Sequence, residues 1–177
     1  MSKEEKRVIP KKNYYLLALL LVGTLLLLYF CVNWYKAYEA SKMKEPVIAS
    51  VISEVKEDEL SNYLMDNPNI VIYFTSSKDI KMKEFEEEFA EYISEKEIRN
   101  QIVYVDTSKI ENRKFYDEFT DQYFHSELKN KGVKLDYLPN IVVVKDGKIK
   151  DVLITYDSVI TLEDAVRFLE KNEVVES

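Results

Sequence analysis

Hydrophobic and polar positions divide this 177-residue chain into an unbroken apolar run followed by a domain of alternating patterns. Tyr14 to Trp34 is a run of 21 residues without a charge. At 1.5 Å per residue that length crosses a hydrocarbon core of about 30 Å. Tyr14 and Tyr15 stand at one end, Trp34 and Tyr35 at the other. Rings at both ends suit the two membrane interfaces. The run is too long for the apolar part of a signal peptide and no A-x-A site follows, so an uncleaved anchor is expected. This organisation predicts a basic N-terminus at 1–12, a transmembrane helix at 13–36, a tether at 37–46, a folded domain at 47–172 and a tail at 173–177.

Beyond Pro46 the pattern changes every ten to twenty residues. Val47 to Val55 reads as a strand, and Asp58 to Met65 as a helix capped by Asp58. Ile70 to Phe74 is β-branched or aromatic throughout, as a strand covered on both faces should be. Asp79 to Lys96 is a helix, with Met82, Phe85, Phe89, Tyr92 and Ile93 on the 3.6 period. Gln101 to Thr107 is a strand, and Glu111 to Asn130 an aromatic-rich helix ended by Gly132. Asn140 to Val144 and Lys148 to Tyr156 pair through an Asp146-Gly147 turn. Thr161 caps a last helix running to Asn172. The order β-α-β-α-β-α-β-β-α predicts an α/β domain, a mixed central sheet flanked by helices.

Charge narrows the function. From Glu45 to Ser177 there are 29 acidic and 17 basic residues, a net −12. A nucleic-acid partner is therefore not expected, because phosphate binding needs a basic face. The acidic run Glu84 to Glu97 lies on a helical period and reads as a solvated face. With three glycines the chain offers no Gly-rich phosphate loop. The single cysteine, Cys31, lies in the apolar run and reads as a small membrane-embedded residue. The single histidine, His125, has no ligand set beside it and reads as structural or exposed. No metal and no cofactor are expected.

The strand at Ile70 to Phe74 runs into Thr75, Ser76, Ser77, Lys78 and Asp79, of which Thr75, Ser76, Ser77 and Asp79 carry oxygens able to cap the following helix. A strand feeding a helix N-terminus is a common place for a nucleophile or a bound anion. Together with Tyr137 to Ile149 (YLPNIVVVKDGKI), where Pro139 opens the strand of a terminal hairpin, this stretch resembles the thioredoxin-like superfamily. The resemblance spans roughly Val47 to Lys171. Within the superfamily the chain is similar to membrane-tethered Gram-positive members such as bacteriocin-transport accessory proteins.

The resemblance implies a redox loop of the form Y-F-x-S-x-x-C-x-x-C-K-x-F. Laid without gaps on YFTSSKDIKMKEF, it places the cysteine positions on Asp79 and Met82. With a one-residue gap they fall on Ser77 and Ile80. Neither pair carries the thiolate and resolving thiol that disulfide exchange needs. The resemblance further implies a groove beside the Pro loop, in which extended polypeptide pairs with the residue before Pro, here Leu138. The expected function is a redox-inactive accessory factor that binds protein or peptide through Ser76, Ser77, Lys78, Asp79, Leu138 and Pro139.

Two alternatives come from other classes. One is a hydrolase-type enzyme using the Ser76–Asp79 loop, disfavoured because adjacent Ser and Lys seldom form a dyad. The other is a membrane-complex subunit working through its helix, with Gly23 and Thr24 seating a partner helix. Thirty-two residues separate Asp106 from Pro139, more than a compact thioredoxin needs. Five aromatics at Phe115, Tyr116, Phe119, Tyr123 and Phe124 exceed one buried face, so a surplus aromatic patch is expected there. Five basic residues precede the apolar run, and Lys36, Lys42 and Lys44 follow it. The positive-inside rule then puts the N-terminus in the cytoplasm and the domain outside the plasma membrane, in a Gram-positive cell facing the wall.

Overall fold

The computed structural model describes residues 11–42, 45–112, 114–156 and 160–175. The basic residues expected at 1–10, Lys44 of the tether and the last two tail residues lie outside these. The described chain forms two units, one ending at Lys42 and one beginning at Met43.

The first unit is the single helix α1, Lys11–Lys42. Its stretch Lys12–Lys36 has a mean hydropathy of 2.6 and none of it is buried within the protein. It is long and apolar enough to cross a membrane, a description that anchors and signal sequences share. The helix continues past the expected span, through most of the expected tether, to Lys42.

The second unit is built on a five-stranded sheet. Its strands are β1 (Ser53–Glu54), β2 (Ile70–Thr75), β3 (Ile102–Asp106), β4 (Asn140–Lys145) and β5 (Lys148–Ile154), in the spatial order β1-β3-β2-β4-β5. β3 lies parallel to both β1 and β2; β4 is antiparallel to both β2 and β5. Every residue of β2 is buried, as its unbroken apolar run predicts. Alternate side chains feed two cores, because successive residues of a strand point to opposite faces. Val71 and Tyr73 pack with α3 (Lys83–Glu95) and α6 (Leu162–Lys171). Ile70, Ile72 and Phe74 pack with α2 (Leu60–Asp66), α4 (Phe115–Tyr123) and α5 (Ser126–Asn130).

Four local expectations need correction. Val47 to Val55 is not one strand: Val47–Ser50 is a 3-10 turn and only Ser53–Glu54 pairs with β3. The backbone N–H groups of Val47 and Ile48 go to the carboxylate of Glu86 instead of to a strand ladder, which accounts for the change. Asp58 does not cap α2; the helix is entered through Glu59, without a side-chain cap. The expected helix from Glu111 to Asn130 is two helices, broken where Phe124 and His125 take extended backbone angles. Phe124 is drawn out of the helix into a bridge with Ile149 and is 5% exposed. His125 then caps α5, its Nδ1 accepting from Leu128 N at 3.4 Å. The fourth concerns the aromatics. Phe115, Phe119, Tyr123 and Phe124 are buried, and Tyr116 is half-buried against Phe74, so this region holds no surplus patch.

The helix expected over Asp79–Lys96 starts instead as a 3-10 turn at Ile80–Met82 and is α-helical over Lys83–Glu95, and the strand expected to reach Tyr156 ends at Ile154. Asp146 and Gly147 take φ of 53° and 70° in the β4–β5 turn, the left-handed region that Asp-Gly favours. Thr161 accepts from Asp164 N at 3.2 Å and caps α6.

Candidate functional site

Parallel strands β2 and β3 end side by side, with Thr75 in register with Asp106. β4 begins at the same end of the sheet, since Asn140 is in register with Phe74. The turn Ser76–Asp79 and the Leu138–Pro139 segment therefore meet at one sheet end. The Leu138–Pro139 peptide is cis. Pro139 is buried, and Leu138 is half-buried. Asn140 holds this approach in place, donating from Nδ2 to Leu135 O at 2.9 Å and to Tyr137 O at 3.1 Å. All six expected binding residues thus come to the same region of the fold.

Their chemistry is mostly used up in local bonds. Asp79 N donates to Ser76 O at 3.0 Å and closes the turn. Asp79 Oδ1 accepts from Lys81 N at 3.0 Å, so the carboxylate caps the 3-10 turn Ile80–Met82 that precedes α3. Ser77 and Ser108 hydroxyls lie 2.8 Å apart, and Lys78 Nζ donates to Ser108 O at 3.4 Å. Met82 is 3% exposed, and its Sδ accepts from the Thr75 hydroxyl at 3.4 Å. The residues that the gap-free alignment sets at the cysteine positions, Asp79 and Met82, are thus a capping carboxylate and a core thioether. The one cysteine of the chain is in α1.

Asp106 clamps the turn from below, a role the sequence did not suggest. Its Oδ1 accepts from Ser77 N at 3.1 Å and from Ser108 N at 3.0 Å. Burial opposes its ionisation, but the bonds from Ser108 and Ser77 outweigh burial and hold its carboxyl below the usual range. Thr107 adds a bond from its hydroxyl to Thr75 O at 2.8 Å. The turn is therefore fixed to the exit of β3, not free to swing.

Behind the turn lies a second feature missed in the sequence. Glu86, expected on a solvated helix face, is 2% exposed. Its carboxylate accepts from Tyr73 Oη at 3.2 Å, from Val47 N at 2.7 Å, from Ile48 N at 3.4 Å and from the Thr75 hydroxyl. Burial pushes its carboxyl up, and those four bonds offset only part of that. Burial and the neighbouring Glu86 charge push the Tyr73 phenol well up as well. The signal was present: position 86 falls on the same stripe as Met82, Phe89 and Ile93, three or four residues from its neighbours.

A third missed feature is an exposed ring pair. Tyr137 and Tyr156 are 43% and 53% exposed, and their ring centroids lie 4.9 Å apart, edge to face. Tyr137 stands two residues before Pro139, at the mouth of the same region.

The mixed sheet, the proline that opens the strand of the terminal hairpin and the helices flanking the sheet are the layout that the thioredoxin resemblance implied. The fold is α/β and thioredoxin-like, preceded by one long apolar helix. Among solved structures, Chlamydomonas reinhardtii thioredoxin f2 is similar at 11% identity and a TM-score of 0.48, over 71% of this chain and 99% of that one. Fasciola hepatica thioredoxin is similar at 14% identity and a TM-score of 0.47, over 68% and 98%. The oxidised thioredoxin of Plasmodium falciparum is similar at 17% identity and a TM-score of 0.42, over 70% and 99%. No protein-family model and no curated protein matches the sequence.

Proposed function

We propose that this protein is a membrane-anchored, thioredoxin-like binding module that holds extended polypeptide without thiol chemistry. The observation that carries the reading is the replacement of both thiol positions by groups already engaged. Asp79 caps a helical turn, and Met82 is packed in the core. Neither exchanges a disulfide. What stays accessible is the mouth: Ser76 and Ser77 half-buried, Lys78 and Tyr137 exposed, and Leu138 before the cis-proline. The module acts as an accessory factor of a membrane or extracytoplasmic complex, with α1 as its anchor.

Enzymatic use of the loop is not part of this reading. The Ser77 hydroxyl faces Ser108, and Lys78 reaches a carbonyl at the surface, so neither gives the other a base.

A photocrosslinking residue at Lys78 or Tyr137, compared with one at Glu88 on the outer face of α3, tests the reading in cells. Discrete adducts from the first two and none from the third are expected. Equal adduct patterns at all three would reject the groove. The same protein should not accelerate insulin disulfide reduction by dithiothreitol, and acceleration would reject the thiol-free reading.

A further inference from the structure

The second unit exposes few large apolar groups. Among its described residues they are Met65, at the end of α2, and the two tyrosines Tyr137 and Tyr156. The tyrosines meet, and the hairpin explains where. Asn140 of β4 is in register with Ile154 of β5. Tyr137 comes three residues before the one and Tyr156 two after the other. Both therefore stand at the open end of the β4–β5 hairpin, beside Leu138, and continue the mouth of the Pro139 region.

The pair has a defined shape. Asn140, fully buried, donates to Tyr137 O and to Leu135 O, so the backbone that carries the Tyr137 ring is fixed from inside. The two ring planes stand at 77° with centroids 4.9 Å apart and brace each other edge to face. They form a corner with aromatic walls. Among the described residues neither phenol hydroxyl has a hydrogen-bond partner. Each can donate to a carbonyl brought by a ligand.

That combination favours one kind of side chain. A leucine would cover the rings and bring nothing for the hydroxyls. A proline-bearing segment uses both. Its flat ring lies on a tyrosine face, and its carbonyls, which have no partner within an extended chain, accept from the phenols. Its restricted φ also lowers the cost of ordering the segment. The missing N–H of proline loses nothing here, because the contact is made by the ring and not by a strand ladder.

We infer that the Tyr137–Tyr156 pair is the specificity element of the groove and takes a proline of the bound polypeptide, adjacent to the residue that lies along Leu138. The inference rests on the groove reading above and names the class of segment held there, extended and proline-bearing.

The test uses the full chain in phosphatidylcholine nanodiscs. The probe is the fluorescein-labelled nonapeptide Ser-Thr-Ser-Pro-Leu-Pro-Ser-Thr-Ser, followed by anisotropy. Two controls replace both prolines by Ala or by Leu. The proline probe should bind saturably and about tenfold more tightly than either control. Tyr137→Ser and Tyr156→Ser should each weaken it about fivefold and bring the three peptides level. Tyr137→Phe with Tyr156→Phe keeps the rings and should lose about threefold, the share of the hydroxyls. Met65→Ser should change nothing. Equal binding of the proline and leucine peptides would overturn the inference. So would no saturable binding, or a loss in Met65→Ser as large as in the tyrosine variants. A photocrosslinking residue at Lys78 in cells separates this inference from the groove reading. Its adducts should fade when both tyrosines are replaced by Ser. Unchanged adducts would overturn the inference and leave the groove standing. No adducts with both tyrosines present would reject the groove and the inference with it.

Discussion

Glu86 shows how one side chain can serve the packing of distant segments. It sits in α3, yet its donors come from Val47 and Ile48 at the entry to the domain and from Tyr73 and Thr75 on β2. Glu86→Ala strands these donors in a site that is 2% exposed and should cost on the order of 3 kcal/mol, measured by urea denaturation of the full chain in detergent. The pH dependence is a separate test. Burial raises the folded-state carboxyl above its unfolded value, so the folded chain keeps the proton longer. Below the unfolded value, about pH 4.3, both states are protonated and the shift has no effect. As pH rises through the folded value, the folded chain must hold a buried charge and loses stability. Glu86→Gln cannot ionise. Its stability relative to the unsubstituted protein should therefore climb from about pH 4.3 upward and level off once Glu86 is ionised in the folded chain. A difference flat from pH 4 to 8 would mean that the four donors cancel the burial. Asp106 has the opposite sign, with its carboxyl held down by the Ser108 hydroxyl and by the remaining bonds from Ser77 and Ser108. Asp106→Ala should cost about 2 kcal/mol and speed amide exchange at Ser77 and Ser108.

Elements whose identity depends on local chemistry were legible in the sequence, and those that depend on distant partners were not. The β4–β5 hairpin belongs to the first kind. Asp146-Gly147 sets its turn, and the tip is then pinned by Gly147 N to Pro68 O at 2.9 Å and Asp146 N to Asn69 Oδ1 at 3.0 Å. Gly147 has φ of 70° with open space where a Cβ would stand, so Gly147→Ala meets backbone strain and no clash. The expected loss is about 1 kcal/mol, read as a lower melting temperature, while Asp146→Asn should be nearly neutral because Asn tolerates the same angles. The caps at Asp79 and Thr161 and the buried strand β2 were readable for the same reason. The Val47–Ser50 turn belongs to the second kind. Its residues have strand propensity, but its N–H groups are claimed by a carboxylate 38 and 39 positions away. The break between α4 and α5 is similar, because the bridge from Phe124 to Ile149 joins segments that no helical period connects. In the candidate site, the six expected residues were grouped from the strand–turn–helix pattern and the Pro139 segment, and the fold brings them to one sheet end. The Asp106 clamp was not, because Ser77 lies 29 positions before it. An acidic residue ending a β-branched strand reads equally well as a plain strand terminus.

For the whole molecule, the open question is which side of a bilayer the domain occupies. The domain has its own sheet and two cores. Five basic residues, Lys3, Lys6, Arg7, Lys11 and Lys12, precede the apolar stretch, while Lys36, Lys42 and Lys44 follow it. Insertion retains the more basic flank on the cytoplasmic side, and it is the lysines and arginines near the span that count, not the net charge. The −12 of the domain therefore does not decide the matter, and the expectation of an outside domain rests on the five-to-three bias. Proteinase K added to intact cells lacking an outer membrane should remove the domain while a cytoplasmic marker survives. Replacing the five N-terminal basic residues by Gln reverses the bias to zero against three, and a substantial part of the domain should then become resistant until the cells are lysed. A domain protected in the unsubstituted protein would place it in the cytoplasm and turn the Pro139 groove toward cytoplasmic partners. If α1 is instead cleaved as a signal sequence, the domain should appear in the medium, shortened by the mass of the apolar run.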